Sequence, residues 1–446
     1  MTKFYSASVD DAVTRYRHHK RILMSIVLCS LTISLPTTAS DSSLTLSSAI
    51  QRTIDKNPSL RVFNFRDTSL QSAAEVARLL PAYELDVEAE NFGGSGELSG
   101  TDGAEITVAL SSVIELGGKR NARIDVTSER RTLLEAQKQV RSLELLGEVT
   151  RRYGEVLAAQ MQVSLALEAP DLANDALNSV TERSQAGATT DAEVKRAKAA
   201  VAQATLAHSS AQQQLDYRKI ALAVLWGQSN PDFSRVEGNL FQFGTDVDFT
   251  VLYARLENNP AVQIFAAEER VKDAQVRLAK THSRSDINWS VGVRQMNDSD
   301  DTALVAGFSL PLFTSKRNAS AVSAAIAERD ELLVEKDIAL LNLHAQLFRA
   351  FHNRKQAITT SNALQDTIIP ALEQALEGTK RAYERGRYGY LEYVSARQEL
   401  LNARRMLIEA ATAALIYGAE IEQLTAEPLS AFQYENETIF EDTINE

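Results

Sequence analysis

The chain has 446 residues, 44% hydrophobic and 24% charged, enough for two or three ordinary domains and too apolar to be disordered. Its net charge of −12 argues against nucleic acid, where affinity comes largely from cations set on phosphates. Its single cysteine, Cys29, excludes a disulfide framework or a thiolate metal site.

In chain order, basic residues 15–21 precede an apolar run, Ile22 to Leu35, and the small-residue stretch Thr37-Thr-Ala-Ser40. These are the three parts of a secretory signal peptide, expected over 1–40. The apolar run is too short for the ~20 residues of a spanning helix. Acylation at Cys29 is the weaker alternative, because bulky Leu28 precedes it. Cleavage after Ser40 would remove five basic and two acidic residues and take the charge to −15. No later apolar run approaches 18 residues, so any membrane crossing must be made by strands.

The remainder is written twice. Asn57-Pro58 recurs as Asn259-Pro260, Lys119-Arg-Asn-Ala122 as Lys316-Arg-Asn-Ala319, and Arg183–Gly187 as Arg385–Gly389. Repeat 1 is assigned to 41–228 and repeat 2 to 248–425, with a linker over 229–247 and an acidic tail over 426–446. Each repeat opens with a helical pattern. A β-hairpin follows, 83–116 in the first and 286–313 in the second, marked by alternation such as Leu85, Val87, Ala89 and Trp289, Val291, Val293. The glycines between Gly93 and Gly103 lack phosphate-loop spacing and are expected to form the first hairpin's loop. Trp289, Phe308 and Phe313 suit either an interfacial aromatic belt or packing at the corner.

Long helical stretches come next, roughly 119–168 and 317–367. In the first, apolar positions from Ala136 to Leu167 recur near the heptad spacing, predicting coiled-coil packing of a rod roughly 75 Å long at ~1.5 Å per residue. Pro170 and Pro370 are the expected reversals, each followed by a returning helix. The fold class is therefore mainly α with a small β part. Four strands cannot close a membrane barrel, whose smallest examples have about eight, so strands must be shared between chains.

The signal peptide, the twofold repeat and the Asn-Pro and Lys-Arg markers together resemble the TolC-like outer-membrane efflux proteins. Ile114-Glu-Leu-Gly-Gly-Lys-Arg120 is similar to the strand-to-helix corner of the CzcC-like heavy-metal branch, and Leu310-Pro-Leu-Phe313 to the matching second corner. Copy two carries Thr314-Ser315 in place of Gly117-Gly118. Tyr383–Tyr393 resembles the family's equatorial segment between helices. The resemblance implies a homotrimer with a twelve-stranded barrel in outer-membrane lipid and a helical tunnel in the periplasm. It also implies a periplasmic adaptor and an inner-membrane efflux pump of the resistance-nodulation-division type as partners. A passive exit duct for divalent heavy-metal cations is the leading expectation. A multidrug or type I secretion channel is the alternative, and a periplasmic coiled-coil adaptor the competitor from another class.

Candidate site residues are few. Gly117, Gly118 and Pro311 mark the corners. Asp171, Asp175, Asp366 and Glu373, with Glu168, could form acidic rings at a periplasmic gate, or could simply be solvated helix ends. His344 and His352 stand eight apart rather than four and are expected to pack or lie on the surface. No catalytic constellation, cofactor motif or metal-ligand cluster is expected.

Overall fold

The computed structural model describes residues 43–96, 99–244 and 246–429. The expected signal peptide, and the expected acidic tail beyond residue 429, lie outside them. Helix α1 (Leu46–Lys56) and α2 (Pro58–Arg78) lead to strands β2 (Glu84–Glu90) and β3 (Glu105–Ile114). Helix α3 (Lys119–Gln185) and α4 (Asp191–Ala223) form the first helical hairpin. The second half repeats this order with α5 (Phe249–Arg255), α6 (Pro260–Thr281), β5 (Ile287–Met296), β6 (Asp301–Ser309), α7 (Thr314–Ala363), α8 (Ile369–Glu384) and α9 (Tyr390–Thr425).

The repeated Asn-Pro pair has a physical purpose. Asn57 and Asn259 are N-caps whose Oδ1 accepts from the backbone N–H of Ser59 (2.8 Å) and Ala261 (2.7 Å). The following proline sits where a helix has no N–H to satisfy. Each amide also donates to the far end of its own repeat's hairpin, Asn57 to the Leu225 carbonyl and Asn259 to the Leu424 carbonyl, both at 2.7 Å. One residue thus starts a helix and closes a repeat.

The four strands form one antiparallel sheet in the order β2-β3-β5-β6. Register aligns Val87, Val108, Val293 and Leu304 in one cross-strand row. Period-2 alternation puts such apolar rows on a single face. That face is bare: Leu85 is 69% exposed, Leu304 85% and Phe308 84%. Strands β2 and β6 are the two edges of the sheet.

From the sheet, α3 runs 67 residues, roughly 100 Å at ~1.5 Å per residue. It does not reverse at Pro170, which lies inside it. Pro370 does not reverse the chain either. A π turn over Leu364–Ile368 comes just before it and widens the backbone where the proline ring would meet the preceding turn. Both reversals come later, where glycines adopt left-handed backbone: Gly187 (φ +70°) and Gly386 (φ +71°). There the Ala188 N–H returns to the Arg183 carbonyl (2.8 Å) and the Arg387 N–H to the Ala382 carbonyl (2.9 Å), satisfying the last carbonyls of α3 and α8. The stretch Tyr383–Tyr393, expected as an equatorial segment, is therefore the second hairpin's tip.

Midway along the rods the linker closes a collar. Strands β1 (Ser43–Leu44) and β4 (Arg235–Val236) pair in parallel, and the Tyr153 hydroxyl of α3 donates to the Leu44 carbonyl (2.8 Å). Val149, Val156, Leu222, Trp226 and Leu240 are buried around it.

Candidate functional site: the corners and the hairpin tips

At the first corner every polar member of Ile114–Arg120 has a partner or a conformational role. Gly117 (φ +81°) and Gly118 (φ +77°) are both left-handed, and a Cβ on Gly117 would lie 2.9 Å from Arg284 Cβ. The Lys119 ammonium, its side chain 7% exposed, pairs with Asp286 at 2.7 Å, and Asp286 also accepts from the Leu116 N–H at 3.0 Å. Burial pushes the Asp286 carboxyl up. The Lys119 ammonium and the Leu116 N–H outweigh it and hold the group below the usual range. Arg123 binds Glu115 through both guanidinium nitrogens, which keeps that carboxyl low against its own desolvation. Arg120 donates to the Arg78 carbonyl at the end of α2 (2.7 Å).

The second corner is built differently. Phe313 (φ +60°), 75% exposed, takes the left-handed position without being glycine. Thr314 and Ser315 are already helical. The Ser285 hydroxyl donates to the Pro311 carbonyl (2.5 Å), and Asn318 donates to the Ala279 carbonyl (2.6 Å). Near this end of the sheet, Tyr83 meets Trp289 edge-on, ring centroids 6.4 Å apart.

At the tips and along the helices leading to them, copy one grips copy two. Arg183 lies over the Tyr383 ring at 4.6 Å and donates to the Tyr383 carbonyl. Tyr383 stacks on Tyr393 at 5.5 Å, and burial pushes its phenol up. Arg397 of α9 donates to the Leu172 carbonyl of α3 (3.0 Å). Arg404 bridges two acids, Glu168 of α3 at 2.7 Å and Glu373 of α8 at 2.9 Å.

Glu168 and Glu373 are thus brought together on one guanidinium. Asp171, Asp175 and Asp366 are exposed and not joined to that cluster. None of the five stands at a reversal. Asp175, the nearest on α3, is ten residues before its end, roughly 15 Å at ~1.5 Å per residue. Arg397 and Arg404 were not anticipated from the sequence, and Arg183 and Tyr383 were noted there only as members of the repeat and of the equatorial stretch. The available signal was the pair of arginines Arg397 and Arg404 on α9, of which Arg404 meets one acid on α3 and one on α8. His344 and His352 pack against rings, His344 with Tyr253 (4.9 Å) and His352 with Phe348 (4.2 Å).

Among the described residues no helix is long and apolar enough to cross a membrane, and no group of three His, Cys, Asp or Glu is placed to hold a metal ion. The family profile described as "Outer membrane efflux protein" matches residues 49–228 and 251–427. The cobalt-zinc-cadmium resistance protein CzcC of Cupriavidus metallidurans is 27% identical over 361 residues, 81% of this chain and 85% of that protein. The nickel-cobalt-cadmium resistance protein NccC of Alcaligenes xylosoxydans xylosoxydans is 25% identical over 65% of this chain and 67% of its own length. The crystal structure of the Campylobacter jejuni CmeC outer membrane channel superposes with a TM-score of 0.68 at 16% identity, covering 85% of each chain.

Proposed function

The chain belongs to the outer membrane efflux protein family, and on that premise we propose that it is the exit duct of a tripartite assembly exporting divalent heavy-metal cations. The pair of unpaired sheet edges, β2 and β6, carries this reading. A four-stranded sheet with a bare apolar face and two open edges leaves backbone donors and acceptors unsatisfied in lipid, at several kcal/mol each. Closure by further copies removes both edges. Three chains supply twelve strands; two would supply eight, a barrel that side chains fill. We therefore read the protein as a homotrimer.

The helical hairpins continue the barrel as a tunnel into the periplasm. Their tips meet a periplasmic adaptor and, through it, the inner-membrane pump that supplies the energy. The duct performs no chemistry. Cations pass through water rather than resting on a protein site, and acidic side chains lining the lower tunnel (Asp171, Asp175, Asp366) favour them electrostatically. The Arg183, Arg397 and Arg404 contacts hold the two hairpins of a chain together, and the adaptor opens the tunnel by biasing that arrangement. Heavy-metal cargo rests on the two metal-resistance relatives and on the Gly117-Gly118 corner.

Two measurements test the duct. Detergent-extracted protein should have the mass of three chains, and in planar bilayers it should conduct. A stable monomer, or a trimer without conductance, would refute the reading.

A further inference from the structure

The chain contains one junction between repeats, β3 of copy one against β5 of copy two, and leaves the reciprocal junction open. The closed junction is fastened at its corner by Lys119 and Asp286, 2.7 Å apart. The repeat copies both members. Asp286 lies 27 residues after Asn259, and Glu84 lies 27 residues after Asn57, each an acid where its strand begins. Lys316 opens the second Lys-Arg-Asn-Ala run as Lys119 opens the first, and both lysines stand in the first turn of their rods. Glu84 and Lys316 are exposed, and among the described residues neither has an ion-pair partner in its own chain. They flank opposite edges of the sheet, three strand spacings or about 14 Å apart, and so cannot reach each other within one chain.

We infer that Lys316 of one chain pairs with Glu84 of the next, fastening β6 to the neighbour's β2 at the corner. This rests on the homotrimeric reading above. The occupant of the β6 edge is a second copy of this chain, in the same antiparallel sense as β3 on β5. The pair repeats head to tail, so the ring closes without a free Glu84 or Lys316.

The test uses the full chain in outer-membrane fractions, with a short bismaleimide as the probe. E84C/K316C should give covalent dimers and trimers on denaturing gels. Each single-cysteine variant should give none, and the two single variants co-expressed should give dimers. E84K and K316E should each lower the fraction of trimer surviving mild detergent heating, and E84K/K316E should restore it. Trimers of normal mass with no E84C/K316C linkage and no charge-swap rescue would overturn the pairing and leave the trimer standing. Rescue of E84K by R317E instead of K316E would overturn the assignment of Lys316. A monomer in detergent would overturn both the pairing and the trimer.

Discussion

Arg404 holds Glu168 and Glu373 at once, one from the outgoing helix of each hairpin, at 2.7 and 2.9 Å. The three side chains are partly exposed, so each pair stabilises by only about 0.2–1 kcal/mol. That is small enough for an adaptor to break and large enough to bias a resting state. Arg404→Ala should leave the amount of assembled protein unchanged. It should also raise single-channel conductance, on the order of twofold, by freeing two carboxylates. Bilayer recordings at fixed salt check this; unchanged conductance would remove Arg404 from the gate.

Gly117 and Gly118 are both left-handed, but only Gly117 is crowded. Gly118→Ala should cost the backbone term alone, about 1–2 kcal/mol. Gly117→Ala should add about 1–3 kcal/mol of overpacking against Arg284. Phe313→Gly should act oppositely and stabilise, since it relieves a left-handed aromatic residue. Thermal unfolding in detergent should rank the melting temperatures as Phe313→Gly, wild type, Gly118→Ala, Gly117→Ala. Equal losses at the two glycines would contradict the contact with Arg284.

Two acids should give stability opposite pH dependences. Asp286 is depressed on balance, so its contribution is complete above the unfolded value of about 3.9 and fades as pH falls through the lower folded value. Glu422 is raised by burial, against the Leu429 N–H and Arg354. Its contribution is complete below about 4.3 and is lost as pH rises through the higher folded value. Glu422→Gln should therefore flatten the decline in stability above pH ~4.3, and Asp286→Asn the decline below pH ~3.9. Melting curves across that range would show either slope or its absence.

Local features of the sequence were readable where one short segment determines the structure. Asn57-Pro58 and Asn259-Pro260 cap helices by their own chemistry, and the alternation around Val87 and Val293 defines strands without knowledge of neighbours. The reversals were misplaced because Pro170 and Pro370 are the louder signals. A proline inside a packed rod can be tolerated or absorbed by a π turn, whereas Gly187 and Gly386 end helices through a backbone angle that composition does not announce. The tip contacts were hidden for a different reason. Arg404 stands 236 residues from Glu168, and only the packing of α9 on α3 brings them together. The acids named from the sequence lie short of the tips for the same reason, since their placement depended on the proline reversals.

The claim that this duct exports heavy-metal cations is tested most directly by a susceptibility panel on a deletion strain, with zinc, cobalt, cadmium, nickel and copper beside dyes, detergents and antibiotics. Selective sensitivity to divalent metals, reversed by the gene, is the expected result. Sensitivity to drugs alone, with metal tolerance unchanged, would contradict the metal assignment while leaving the barrel and its tunnel in place.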